Sequence, residues 1–115
     1  MHELSIAQNI VNVIEEQLKD ETFSRVLTVN IEIGKFSCVS AEALEFCFEA
    51  VAKDTILDNS RLAIYNVHPE VLCEICNKRS NVNMDNPVLI CGYCKSREVV
   101  LQKGEEFQIT SVEVE

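Results

Sequence analysis

The sequence predicts an α+β fold: two helices packed on a small three-stranded sheet, with a four-cysteine module inserted between the second and third strands. Three observations carry that prediction. Apolar residues near the start recur every three or four positions, as on one face of a helix. The pattern then switches to period two over residues 25–33, as in a half-buried strand. Two Cys-x-x-Cys pairs lie late in the chain.

Taken in order, Leu4, Ile6, Ala7, Ile10, Val11, Ile14 and Leu18 form one broad apolar face of a helix spanning about residues 5–19. Ser5 and Gln8 fit a capping box at its start, and the polar run Asp20-Glu21-Thr22 ends it. In the first strand Leu27, Val29, Ile31 and Ile33 share one face, Thr28, Asn30 and Glu32 the other, and Gly34 closes it. Ser40 is the expected N-cap of a second helix whose core stripe is Leu44, Cys47, Phe48 and Val51. A turn at Asp58-Asn59-Ser60 leads into a strand over 61–67, and Phe107, Ile109, Val112 and Val114 mark a last strand after Gly104. The boundary signal is His68-Pro69, since proline cannot continue a strand ladder. Residues 1–67 plus 104–115 are expected to form one domain and residues 68–103 the metal-binding module.

Composition narrows the function classes. The 115 residues are 47 % hydrophobic and 25 % charged, as in a folded soluble protein. Nineteen Asp and Glu against ten Lys and Arg give a net charge of −9, which disfavours nucleic acid and anionic membrane surfaces as partners. No apolar run is long enough for a membrane span. The first residues lack the basic and apolar regions of a signal peptide, so a cytoplasmic location is expected. Six cysteines in that compartment point to metal before disulfides.

Cys73-Glu-Ile-Cys76 and Cys91-Gly-Tyr-Cys94 are two knuckles separated by 14 residues. A two-residue spacer lets a tight turn aim both sulfurs at one point while its amides donate to them. Two such turns make the closed tetrahedral sulfur shell that zinc prefers, in a zinc-ribbon-like module. Gly92 is expected to supply backbone freedom in the second turn. A pair of redox dithiols would need a helix N-terminus after a strand, which neither knuckle has. Rubredoxin-like iron is compatible with the same spacing. A closed shell has no open coordination position, so this metal folds the module and catalyses nothing. No nucleophile–base pair and no phosphate-cradling glycine loop are apparent, so no enzymatic activity is expected. Cys38 and Cys47 read as structural, Cys47 as a small hydrophobe on the second helix. His68 reads as a residue packed at a strand end.

The opening Met1-His2-Glu3 is a chelator by its chemistry. The terminal amine, the His2 backbone nitrogen and the His2 imidazole can close fused rings around one metal, and Glu3 can add a fourth position. Nitrogens in a plane suit Ni(II) or Cu(II). Glu3 also suits the positive end of a helix dipole.

The run Met1-His2-Glu3-Leu4-Ser5-Ile6-Ala7, the strand ending in Ile33-Gly34 and the two knuckles together resemble the HypA/HybF family of hydrogenase nickel-insertion accessory proteins. The resemblance covers the whole chain, in the same order. It implies a cytoplasmic nickel metallochaperone that delivers Ni(II) for maturation of nickel–iron hydrogenase, with urease as a further client in some organisms. The implied partners are the GTPase accessory protein HypB and the hydrogenase large subunit precursor, with the chain itself a monomer or weak homodimer. By position, His2 becomes the principal nickel ligand, with Met1 and Glu3 beside it, and Cys73, Cys76, Cys91 and Cys94 become ligands of a structural Zn2+. Some members bring a carboxylate from the loop before the second helix toward nickel; here that place reads Cys38-Val39-Ser40-Ala41-Glu42, with Glu42 the nearest acid. Others use a histidine of the zinc module, and residues 70–103 contain none.

The rival reading is a zinc-ribbon interaction module of a transcription or translation factor. Charge weighs against it: residues 68–103 carry five basic side chains against four acidic ones, no electrostatic footprint for nucleic acid.

Overall fold

A computed structural model describes residues 3–115. The chain falls into two compact units, one of residues 1–32, 38–65 and 108–115, the other of residues 33–37 and 66–107. The second unit therefore takes in more than the cysteine segment, including the last two residues of the first strand and the three that follow it.

The first unit opens with α1 (Glu3–Leu18), which buries Ile6, Ala7, Ile10, Val11 and Ile14. The helix starts two residues earlier than the spacing suggested, so Ser5 lies inside the first turn and does not cap it. Leu4 sits on the apolar stripe but at the helix end, beyond the reach of the core, and is 47 % exposed. Strand β1 (Val26–Gly34) follows, and then α2 (Ala41–Ala52). Ser40 caps α2 as expected, its hydroxyl accepting the Ala43 amide at 3.2 Å. Leu44, Phe48 and Ala52 are buried, whereas Cys47 is half-buried. Val51, expected on the core stripe, is half-buried, and Ala52 takes the last core position.

The sheet of β1 has the order β2-β1-β6, with β2 at Arg61–Val67 and β6 at Phe107–Val114. Ser60 donates to the Val26 carbonyl and Tyr65 to the Asn30 side chain, so β2 runs parallel to β1, with α2 as the crossover. Thr110 donates to the Asn30 carbonyl while the Glu115 amide reaches Arg25, so β6 runs antiparallel. Alternation along β1 holds from Val29 onward: Val29, Ile31 and Ile33 are buried and Asn30 and Glu32 half-buried. It fails at Leu27, which is 37 % exposed while Val26 is buried. The Ser60 hydroxyl anchors the Val26 carbonyl there, and the strict period of two begins only beyond that anchor.

The second unit holds a three-stranded antiparallel sheet of order β4-β3-β5, built from β3 (Glu70–Cys73), β4 (Arg79–Asn81) and β5 (Val99–Lys103). Val71, Val82, Pro69, Cys73 and Cys91 are buried in it. None of these strands is legible from hydrophobic alternation, because they are three to five residues long and register is set by the knuckles. A 3-10 turn (Lys35–Ser37) also belongs to this unit. The Gly34 amide bonds the Glu106 carbonyl and the Phe36 amide the Gly104 carbonyl, both at 2.7 Å. A Cβ on Gly34 would lie under 3.0 Å from the Gly104 backbone, so only glycine fits that crossing.

Candidate metal centre

Cys73 ends β3 and Cys76 closes the turn after it, while Cys91 and Cys94 bracket a second turn before β5. The two turns repeat one hydrogen-bond pattern. The Cys73 sulfur accepts the Ile75 and Cys76 amides at 3.4 and 3.5 Å, and the Cys91 sulfur accepts the Tyr93 and Cys94 amides at 3.3 and 3.4 Å. The amides of Cys73 and Cys91 bond the Lys78 and Ser96 carbonyls, and the Asn77 and Lys95 amides return to the Cys73 and Cys91 carbonyls. Asn77 and Lys95, each just after the second cysteine of its pair, adopt φ of 60° and 64°. That left-handed residue turns the chain away from the site; asparagine tolerates it better than lysine does.

Gly92 plays a different part from the one its position suggested. Its φ is not among the positive ones. Its amide donates to the Ser80 hydroxyl at 2.9 Å, and a Cβ there would come within 3.0 Å of Ser80. The glycine permits a close approach to β4 and supplies no unusual backbone angle.

All four sulfurs lie within 4.8 Å of one another, with Cys73 to Cys94 and Cys76 to Cys91 both at 3.6 Å. A tetrahedron with metal–sulfur bonds of about 2.3 Å has edges of about 3.8 Å, so the quartet fits a four-thiolate metal such as zinc. The electrostatics are already arranged for it. The Cys94 amide, helped by the Tyr93 amide, draws the Cys91 thiol down to about 6 against burial. The Cys76 amide does the same in direction for Cys73. At Cys76 the Lys78 amide is the largest influence and lowers, yet burial and the Cys91, Cys73 and Cys94 sulfurs together push it up to about 11. Cys94 is likewise raised, by Cys73, burial and Cys91, against the Ser96 amide. Four thiols this close cannot all ionise without a cation between them. Neither knuckle opens a helix, so the dithiol alternative lacks the helix N-terminus that would activate it.

Of the residues singled out at the chain start, Met1 and His2 lie outside the described residues. Glu3 is the first residue of α1, and its carboxylate accepts the Ser40 amide at 3.4 Å. The loop before α2 is thereby brought beside the start of α1. Glu42 is exposed in the first turn of α2. Cys38 is exposed with φ 61°. His68 stands apart from the sulfur quartet, its Nε2 donating to the Val82 carbonyl at 3.0 Å as a strand-end residue should.

Comparison with known proteins agrees with this architecture. The family model for hydrogenase/urease nickel incorporation, metallochaperone, HypA, matches residues 1–114. A hydrogenase maturation factor HypA of Azotobacter chroococcum is 36 % identical over 115 residues, all of both chains. That of Methanococcus maripaludis is 32 % identical over 121 residues, covering all of this chain and 96 % of its own. Among solved structures, the Ni metallochaperone HypA from Helicobacter pylori superposes with a TM-score of 0.66 at 24 % identity, covering 99 % of this chain and 97 % of the other. A second solution structure of a HypA protein gives 0.75 at 23 % identity, covering 99 % and 96 %. The transcription-factor reading of the knuckles gives way to these matches: the chain belongs to the HypA family of nickel metallochaperones for hydrogenase maturation.

Proposed function

We propose that this chain carries one Ni(II) at its first residues, on the Met1 amine, the His2 imidazole and backbone nitrogen, and Glu3, while Zn2+ resides on Cys73, Cys76, Cys91 and Cys94. The observation that supports it is the placement of Glu3 at the head of α1 with its carboxylate turned to Ser40. A helix N-terminus carries a partial positive charge that opposes a dication. A carboxylate in that first turn offsets it, as do backbone nitrogens that lose their protons on binding. The first-turn amides also lack intrahelical carbonyl partners, so using one as a ligand breaks no helix bond.

His2 is the principal ligand in this reading. A chelate at a chain end can be approached by an acceptor without unfolding anything, which suits hand-over. The sulfur quartet does the opposite: it is closed, half of it is buried, and it holds its own unit together. The carrier therefore needs no catalytic residue, and it acts in the cytoplasm. Hydrogenase large subunit precursor is the receiver, the GTPase accessory protein HypB the partner in delivery, and urease a further client. No helix of the described residues is long and apolar enough to cross a membrane.

The test is nickel titration by calorimetry on zinc-loaded protein with a native, untagged terminus, beside His2→Ala. One nickel per chain, lost in the variant while zinc content holds, is the expected result. Equal nickel binding by both proteins would overturn the terminal site.

A further inference from the structure

Helix α2 presents to solvent a face that none of the described residues covers. Phe46 is 76 % exposed, the most exposed large hydrophobic side chain among the described residues. Glu42, Glu49 and Ala50, four before, three after and four after it, share that face, and Glu45 lies at its border. All are exposed. Among the described residues the ion pairs are Lys19–Glu16 and Arg25–Glu115, so none of these carboxylates is paired with a described cation.

The arrangement works against the helix that bears it. An exposed phenylalanine has lower helix propensity than alanine and keeps its ring in water. Glu49 stands in the last turn, where no basic residue is present and a carboxylate meets the negative end of the helix dipole. Beside this face lies a cavity of about 760 Å³, bordered by Glu45, Glu49, Asp58, Lys53 and Arg61. Charge is also partitioned: the first unit holds thirteen acidic and four basic side chains, the second six of each, so the whole net charge of −9 belongs to the unit that carries α2.

From this we infer that the Phe46 face of α2 is a docking surface for a protein partner whose contact patch is an apolar pocket ringed by lysine and arginine. An aromatic anchor entering a desolvated pocket supplies the affinity of such an interface, and the carboxylates around it supply encounter rate and register. A basic patch is the complement this charge calls for, and it rules out a second copy of the same acidic face. The inference rests on the delivery function proposed above, which requires protein partners.

The experiment uses the full zinc-loaded chain and two purified probes, the GTPase accessory protein and the hydrogenase large subunit precursor, each immobilised separately. Phe46→Ala removes the anchor and, by propensity, leaves α2 at least as stable, which thermal melting checks. The pair Glu45→Gln with Glu49→Gln removes charge alone. Binding of at least one probe should weaken at least tenfold in Phe46→Ala. In the Gln pair it should lose much of its sensitivity between about 50 and 300 mM salt. Nickel and zinc stoichiometry should stay unchanged in both. Binding of a probe that neither variant alters would overturn the docking face and leave the delivery reading standing. Failure of both probes to bind the unaltered chain would overturn the partners and the docking face together.

Discussion

The carboxylate of Glu3 accepts the backbone amide of Ser40 at 3.4 Å, joining the first residue of α1 to the residue that caps α2. Thirty-seven positions of sequence separate the two. The contact makes Glu3 a fixed point next to the proposed nickel chelate, and Ser40 serves both helices at once, its amide toward Glu3 and its hydroxyl toward Ala43.

Glu3 variants divide its two roles. Glu3→Gln keeps an acceptor for the Ser40 amide and drops the charge, whereas Glu3→Ala drops both. An exposed bond of this length contributes little, so each variant should change unfolding free energy by no more than about 0.5 kcal/mol. Nickel affinity should fall several-fold in Glu3→Gln, because the offset to the helix dipole is gone. Calorimetry with matched zinc content reads this, and unchanged affinity in both variants would remove Glu3 from the site.

The sulfur quartet predicts a proton count. With Cys91 drawn down to about 6, one thiol of the folded zinc-free unit is already ionised at pH 7. Zinc binding at that pH should therefore release fewer than four protons, rising toward four below pH 6. Titration in buffers of different ionisation enthalpy measures it; four protons at both pH values would mean that the second unit is unfolded without metal. The same shifts fix the pH window of the zinc-free unit. Cys91 lies below the ordinary thiol value of 9.0, so its contribution is complete above that value and disappears as pH falls through about 6. Cys76 lies above it, so its contribution is complete below 9.0 and disappears as pH rises through about 11.

At the crossing of Gly34 with Gly104, Gly34→Ala forces a Cβ into backbone that has no flexible end to move aside. The cost should be at least 1–3 kcal/mol, roughly that of overpacking a core. The Gly34–Glu106 and Phe36–Gly104 bonds should loosen first. Amide hydrogen exchange at Phe36 is the direct readout, and native protection there in the variant would contradict the geometry.

Ser37 carries a buried hydroxyl with no hydrogen-bond partner among the described residues. An unsatisfied buried hydroxyl disfavours the folded state. Ser37→Ala should leave stability unchanged or raise it by up to about 1 kcal/mol. A loss of more than that in chemical denaturation would reveal a partner for the hydroxyl.

The metal quartet was legible because its information is local: a two-residue spacer, a tight turn, and nothing else in range with the same chemistry. Ser40 was legible for the same reason, since a cap bonds three residues on. Leu27 and Ser5 were misread where a neighbour distant in sequence or a shifted helix start overrode the pattern. Ser60 holds the Val26 carbonyl, and α1 begins at Glu3. The strands of the second unit carry no alternation to read, because their register follows from where two turns bring four sulfurs.

By itself the sequence determined the helices, the sheet of the first unit and the four-cysteine cluster, because periodicity and spacing act within a few residues. Only the tertiary structure decided that Glu3 meets Ser40, that Gly34 crosses Gly104, and that Asn77 and Lys95 take the left-handed turns. Each depends on backbone brought together from distant positions or on an angle that no side-chain pattern encodes. Burial rewards a face of a helix or strand in proportion to its apolar area, whereas a crossing or a cap between elements depends on where those elements end.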